Sequence, residues 1–260
     1  MPIPPQSAHD YPSLLKRWKK AVCETGLELE TLCEAEGYSV PVIRNRRALN
    51  GEAGGLYISA GVHGDECAPV WSLLEWFESK PEILSRLPVM LFPCLNPVGL
   101  TLNTRLNETG HDLNRSFTDT RLEVITSWQK VLEGCRFDLS LNLHEDYDTR
   151  GIYLYELTRR ESCGDLLLSA CEEVIPRELA SEIDGSPFDR GLIVRTSEIE
   201  ELVAEQLGGG YPEAILLFLK HCETSLTFET PSEAGLELRI KAHRVFLERA
   251  ASLATKRADA

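Results

Sequence analysis

Ala60-Gly61-Val62-His63-Gly64-Asp65-Glu66 follows the apolar run Leu56-Tyr57-Ile58-Ser59 and precedes a helix-like segment from Ala68 to Ser79. A buried strand, a glycine-flanked turn and a helix start form a good frame for a metal. The strand fixes the backbone, Gly61 and Gly64 allow a sharp turn, and His63 and Glu66 can converge on one point. The same stretch could also be a plain helix N-terminus, with Asp65 and Glu66 favouring the dipole. The rest of the chain decides between them.

Outward from this stretch, strand and helix signals alternate. Asp10 to Thr25 has Leu14, Leu15, Trp18 and Val22 on one helical face. Leu27–Ala35 and Tyr38–Arg44 flank Glu36-Gly37 as a hairpin. After the motif helix, Pro88–Leu95 is an apolar strand ending in Asn96-Pro97-Val98-Gly99, and a long polar loop runs from Thr101 to Asp119. Such loops inside a compact domain are usually functional. Arg121–Leu132 reads as helix, Phe137–Leu143 as a strand ending in His144-Glu145-Asp146, and Gly151–Leu157 as a strand. Helices are expected over Cys163–Glu182, Glu198–Leu207 and Glu233–Lys256, with a short strand at Gly191–Arg195. Pro212–Leu219 is ambiguous, and Ser225–Phe228 is a strand that delivers Glu229. The pattern implies an α/β fold, a single domain over residues 10–260 behind a flexible arm at residues 1–9, with a mostly parallel sheet covered on both faces. Ligands of such sheets bind where strands end, and His63, His144 and Glu229 all lie there.

Composition fits an ordinary soluble globular protein, at 260 residues, 43% hydrophobic and 26% charged. The net charge of -14 disfavours nucleic acid and anionic membranes as partners. No apolar run approaches the ~20 residues needed to span a bilayer. Met1-Pro2-Ile3-Pro4-Pro5-Gln6 has no basic or apolar leader, and the eight cysteines form no Cys-x-x-Cys pair. A cytoplasmic protein with reduced thiols is expected.

A catalytic zinc takes three protein ligands and keeps one position open. His144 is the natural third ligand beside His63 and Glu66. Glu145, its neighbour, points to the other face of a strand and is structural or supports the ligands from behind. The chain here resembles the zinc metallocarboxypeptidases. His63-Gly64-Asp65-Glu66 looks like their His-x-x-Glu pair. Asn96-Pro97-Val98-Gly99 resembles their Asn-Pro-Asp-Gly turn, departing at Val98. Arg105 and Gly110-His111-Asp112-Leu113-Asn114-Arg115 look like their Arg and Gly-Val-Asp-Leu-Asn-Arg stretch. His144 matches the third ligand and Glu229, in Thr227-Phe228-Glu229, the general base. The resemblance covers roughly residues 27 to 250. It implies a mixed, eight-stranded twisted sheet between helices, and one zinc per chain.

The residue chemistry agrees. Zinc would lower the pKa of a water toward ~7, Glu229 would take its proton and pass it to the leaving amine, and Arg105 would stabilise the developing oxyanion. Asn114 and Arg115 offer planar donors for a substrate carboxylate, and Asp112 would orient His63. The family's mobile tyrosine is best matched by Tyr211, after Gly208-Gly209-Gly210 and 18 positions before Glu229. Tyr147 is a candidate pocket residue, whereas His9, His111, His221 and His243 read as structural or exposed. The substrate pocket is expected from Ala180–Glu205, where Asp184, Asp189 and Glu198 could favour a basic side chain or simply form a solvated face. The expected reaction is hydrolysis of an amide next to a residue with a free carboxylate, in a small peptide or N-acyl amino acid. Its rivals are a succinylglutamate desuccinylase/aspartoacylase-like deacylase, an amidase of cell-wall peptides and a non-catalytic binding module. The 31 residues after Glu229 read as one helix and a tail, without the closing β domain usual in the deacylases.

Overall fold

The computed structural model describes residues 7–25, 27–79, 81–183, 185–197 and 199–258. Most of the expected N-terminal arm, residues 1–6, and the acidic candidates Asp184 and Glu198 lie outside them. Ser7–His9 is tied down: the Ala8 carbonyl accepts from Trp71 Nε1 at 2.8 Å and His9 Nδ1 donates to the Leu100 carbonyl at 2.9 Å.

Helix α1 (Tyr11–Cys23) leads into the hairpin β1 (Glu28–Ala35) and β2 (Tyr38–Arg44). A short α2 (Arg46–Leu49) precedes β3 (Leu56–Ser59), α3 (Cys67–Ser79), α4 (Pro81–Arg86) and β4 (Val89–Phe92). Next come α5 (Pro97–Leu102), α6 (Glu123–Leu132), β5 (Phe137–Asp146), β6 (Tyr153–Thr158) and α7 (Gly164–Cys171). The chain closes with β7 (Glu182–Ile183), β8 (Ser186–Pro187), β9 (Leu192–Arg195), α8 (Ile199–Gln206), α9 (Glu213–Lys220), β10 (Cys222–Pro231) and α10 (Leu236–Ala258).

Eight strands form one sheet in the order β1-β2-β4-β3-β5-β10-β6-β9, and β7 and β8 form a separate hairpin. The four central strands β4, β3, β5 and β10 run parallel, while β1, β2 and β6 are antiparallel to their inner neighbours. The sheet is therefore mixed and mostly parallel, as expected. Its central strands all end at one edge, so His63, Asn96, His144 and Glu229 are delivered to the same place.

Alternation along the central strands sorts the two faces. Leu139, Leu141, Leu143, Leu226 and Phe228 pack with Trp76, Phe77 and Phe246 under α1, α3, α7 and α10. The intervening residues of β5 and β10 (Ser140, Asn142 and His144; Ser225, Thr227 and Glu229) face the other side. There α6 and α9 cover Tyr57, Phe92, Trp128 and Leu217. A polar strip thus lies beneath the site, bordered by a hydrophobic layer.

Several elements differ from the expectation. Asn96 caps a helix, accepting from Gly99 N at 2.9 Å, so the Asn-Pro turn opens α5 and the polar loop starts later. The helix expected over Cys163–Glu182 ends at Cys171. Pro176 lacks an N–H and pushes Ile175 away from helical geometry, which prevents continuation. The ambiguous Pro212–Leu219 stretch is a helix, and β10 is longer than expected because its pairing with β5 runs past its apolar stretch at both ends, from Cys222 to Pro231.

Candidate metal centre

The β3–α3 turn brings His63 and Glu66 under the end of β5. His63 Nδ1 lies 2.5 Å from Glu66 Oε1, and His144 Nδ1 lies 2.9 Å from Glu66 Oε2. The three side chains are buried, and their ligand atoms all lie within 4.8 Å of one another. This donor set, two imidazole nitrogens and a carboxylate oxygen, suits a divalent transition ion.

The surroundings hold the ligands in place. Asp112 Oδ1 lies 3.1 Å from His63 Nε2 and accepts from the Asn114 backbone N–H at 2.8 Å. Its second oxygen accepts from Arg105 Nε at 3.1 Å, and the Arg105 guanidinium reaches within 3.9 Å of Glu66. The Glu145 amide donates to Glu66 Oε2 at 3.1 Å. Gly64 makes the turn possible by close approach, since a Cβ there would sit 1.9 Å from the Gly99 carbonyl carbon. The His-Gly-Asp-Glu and Asn-Pro-Val-Gly stretches are therefore halves of one packed joint.

Electrostatics point the same way. Burial pulls the His63 imidazole down, but Glu66 and Asp112 outweigh it and lift it to about 9. His144 is raised as well: burial opposes charging, while Glu66 and Glu229 favour it. Burial alone would raise Glu66, yet the two imidazoles hold it below the ordinary carboxylate range. The cluster calls for positive charge between its members, which two protons or one divalent cation can provide. The three residues therefore fit the metal that the sequence implies.

Glu229 sits in register with His144 on β5 and with Tyr153 on β6, on the same face as the ligand. Asn114 Oδ1 accepts from the Glu213 amide at 3.1 Å, and Arg115 is exposed with Nη1 on the Asn114 carbonyl at 2.9 Å. The Tyr211 carbonyl accepts from Phe117 N at 3.1 Å, and Tyr211 packs against two apolar clusters. His63, Glu66, His144, Asp112 and Arg105 thus touch directly. Asn114, Arg115 and Tyr211 adjoin them along the 112–117 segment. Tyr147, half exposed, donates to the Asp65 carbonyl at 3.1 Å at the rim.

Sequence reasoning missed Glu213. This fully buried carboxyl accepts from Tyr57 Oη and, at 2.8 Å, from Ser59 Oγ; Trp128 Nε1 donates to Tyr57 Oη at 2.7 Å. Burial pushes it up, and the two hydroxyls oppose that. A charged residue heading the otherwise apolar Glu213-Ala214-Ile215-Leu216-Leu217-Phe218 was the available signal.

The whole structure is similar to a protein of Shewanella denitrificans provisionally named a metallopeptidase, at a TM-score of 0.82 and 22% identity, covering 95% of this chain and 92% of that one. A similarly named protein of Shewanella baltica matches at 0.81 and 23%, covering 95% and 93%. A metallo-carboxypeptidase of Burkholderia cenocepacia matches at 0.64 and 14%, covering 94% and 68%. The fold is that of the metallocarboxypeptidases. Within this metallocarboxypeptidase fold, residues 52–163 match the succinylglutamate desuccinylase/aspartoacylase catalytic domain. That stretch carries all three candidate ligands, Asp112, Arg105, Asn114 and Arg115. No curated protein matches the chain in sequence. No helix among the described residues is long and apolar enough to cross a membrane.

Proposed function

We propose that this chain is a zinc-dependent hydrolase that cuts an amide bond next to a residue with a free carboxylate. The observation that carries the reading is the convergence of His63, Glu66 and His144, with Glu229 in register beside His144 on the adjacent strand. Zinc held by those three residues would supply Lewis acidity, polarising the scissile carbonyl and bringing a water's pKa toward ~7.

The chain's own groups divide the remaining work. Glu229 takes the proton from the attacking water and delivers it to the departing amine. Arg105, fixed by Asp112, presents a guanidinium to the oxygen that gains charge. Asn114 and Arg115 hold the substrate carboxylate; with Asn114 Oδ1 already accepting from Glu213, its amide NH2 remains to donate. Tyr211, carried after three glycines, covers the bound substrate. Asp112 keeps His63 in the tautomer whose Nδ1 faces the metal. On this reading the work is done in the cytoplasm, on small peptides or N-acyl amino acids.

The match of residues 52–163 to the desuccinylase/aspartoacylase domain supports a second reading, removal of an acyl group from an amino acid by the same residues. Dipeptides, N-acyl amino acids and muropeptide fragments, each with a carboxy-amidated control, separate the readings. Zinc-loaded protein is expected to hydrolyse at least one free-carboxylate substrate, and Glu229→Gln to lose about 100-fold or more in turnover while retaining metal. Metal binding with no turnover of any of them would favour a binding module instead.

A further inference from the structure

Behind the metal centre, on the opposite face of the sheet, lies a buried polar cluster that the reaction does not use. Because β5 and β10 run in register, His144 and Glu229 share one face, and their successors Glu145 and Thr230 share the other. Glu145 is completely buried and receives Arg239 of α10 at 2.5 Å. Its other oxygen accepts from the Ala68 amide in the first turn of α3 at 3.3 Å. Thr230 Oγ1 reaches Glu145 at 3.4 Å and pairs with His243 Nε2, also on α10, at 3.1 Å.

Glu145 grips Glu66 from two directions. Its amide binds the Glu66 carboxylate, and its side chain anchors the helix turn that begins just after Glu66. We propose that Arg239, acting through Glu145, is a positioning residue that sets the metal affinity of the His63–Glu66–His144 centre. A carboxylate with no water around it needs a charged partner to stay in place. Without Arg239, Glu145 must take up a proton, draw in water or turn away. Each loosens its hold on the Ala68 amide, and a movement carries the amide that steadies Glu66 and the strand end that bears His144. The inference rests on the metal reading given above.

The test measures zinc affinity by competition with a chromophoric chelator, along with the melting temperature of the metal-free protein. Arg239→Gln is expected to bind zinc about 10–100-fold more weakly, the range for losing a group that supports a metal ligand. Arg239→Lys, which keeps the charge, should recover part of that loss. Should Arg239→Gln fail to fold, Arg239→Lys carries the test: its single ammonium cannot reproduce the guanidinium's placement on Glu145, and binding is expected to weaken by about threefold or more. A folded variant binding within twofold of the parent, whatever its melting temperature, would overturn the proposal and leave the metal reading intact. A parent that bound no zinc would overturn both.

Discussion

Gly64→Ala should break the metal centre without introducing any polar or charged group. Gly64 is not in the left-handed backbone region, so alanine could adopt its dihedral angles. The obstacle is contact. The new methyl would lie 1.9 Å from the Gly99 carbonyl carbon, 2.3 Å from Leu100 N and 2.4 Å from Gly99 Cα. These are backbone atoms that no side-chain rotation can clear, and the shortest falls about 1.5 Å inside ordinary van der Waals contact. The turn must move by a comparable amount, and it carries His63 on one side and Glu66 two residues away. Metal–ligand distances tolerate about 0.2 Å, so both ligands would leave their positions. Zinc affinity should fall by about 100-fold or more, the upper end for losing a supporting group. Overpacking should also cost about 1–3 kcal/mol. For a chain of this size that is a fall of roughly 2–12 °C in melting temperature. Gly235→Ala, where a Cβ meets nothing within 4 Å, is the control; as the residue that caps α10 it should cost no more than about 1 kcal/mol. Chelator competition and urea denaturation give both numbers. A Gly64→Ala protein that kept zinc affinity within threefold and stability within about 1 kcal/mol would refute the joint between the two loops.

Tyr57→Phe removes one oxygen and strands two buried partners, Trp128 Nε1 and a Glu213 carboxyl oxygen. At about 1–3 kcal/mol per unsatisfied group, a loss of roughly 2–6 kcal/mol is expected in urea unfolding, and a loss below about 1 kcal/mol would contradict the network. Metal binding should depend on pH, because His63 must release its proton to become a ligand. With that imidazole raised to about 9, zinc affinity should climb from pH 6.5 and level off above pH 9, as titrations at fixed ionic strength will show. The same shift fixes a sign for the metal-free protein. A raised histidine contributes stability that is fully present below its unfolded value of about 6.5 and is lost as pH rises through about 9. Metal-free melting temperature should therefore decline across that window, and a rise would contradict the pairing of His63 with Glu66 and Asp112.

The site was legible where chemistry follows local spacing. His63 and Glu66 lie three apart on one turn, and His144 and Glu229 end strands whose alternation, as in Leu139-Ser140-Leu141-Asn142-Leu143-His144, fixes their common face. The sheet's eight strands came from family resemblance, since periodicity cannot say which strands are neighbours. The short edge strand β9 falls where a strand was expected, at Gly191–Arg195, but the hairpin of β7 and β8 has two residues a side and is too short to carry a pattern. Residues 212–219 stayed ambiguous because an apolar run of that length suits a helix or a buried strand equally. Glu213 and Arg239 escaped for another reason. Their partners Tyr57 and Glu145 lie 156 and 94 residues away, and no local rule connects them. A buried charge is recognisable only once the fold shows what surrounds it.

Diffraction at the zinc absorption edge, on crystals of protein loaded with one equivalent of zinc, bears most directly on the claim that His63, Glu66 and His144 form a single metal centre. The account predicts one anomalous peak per chain, about 2.0–2.2 Å from His63 Nδ1, His144 Nδ1 and a Glu66 carboxylate oxygen. A peak elsewhere, or none at these three residues, would contradict it.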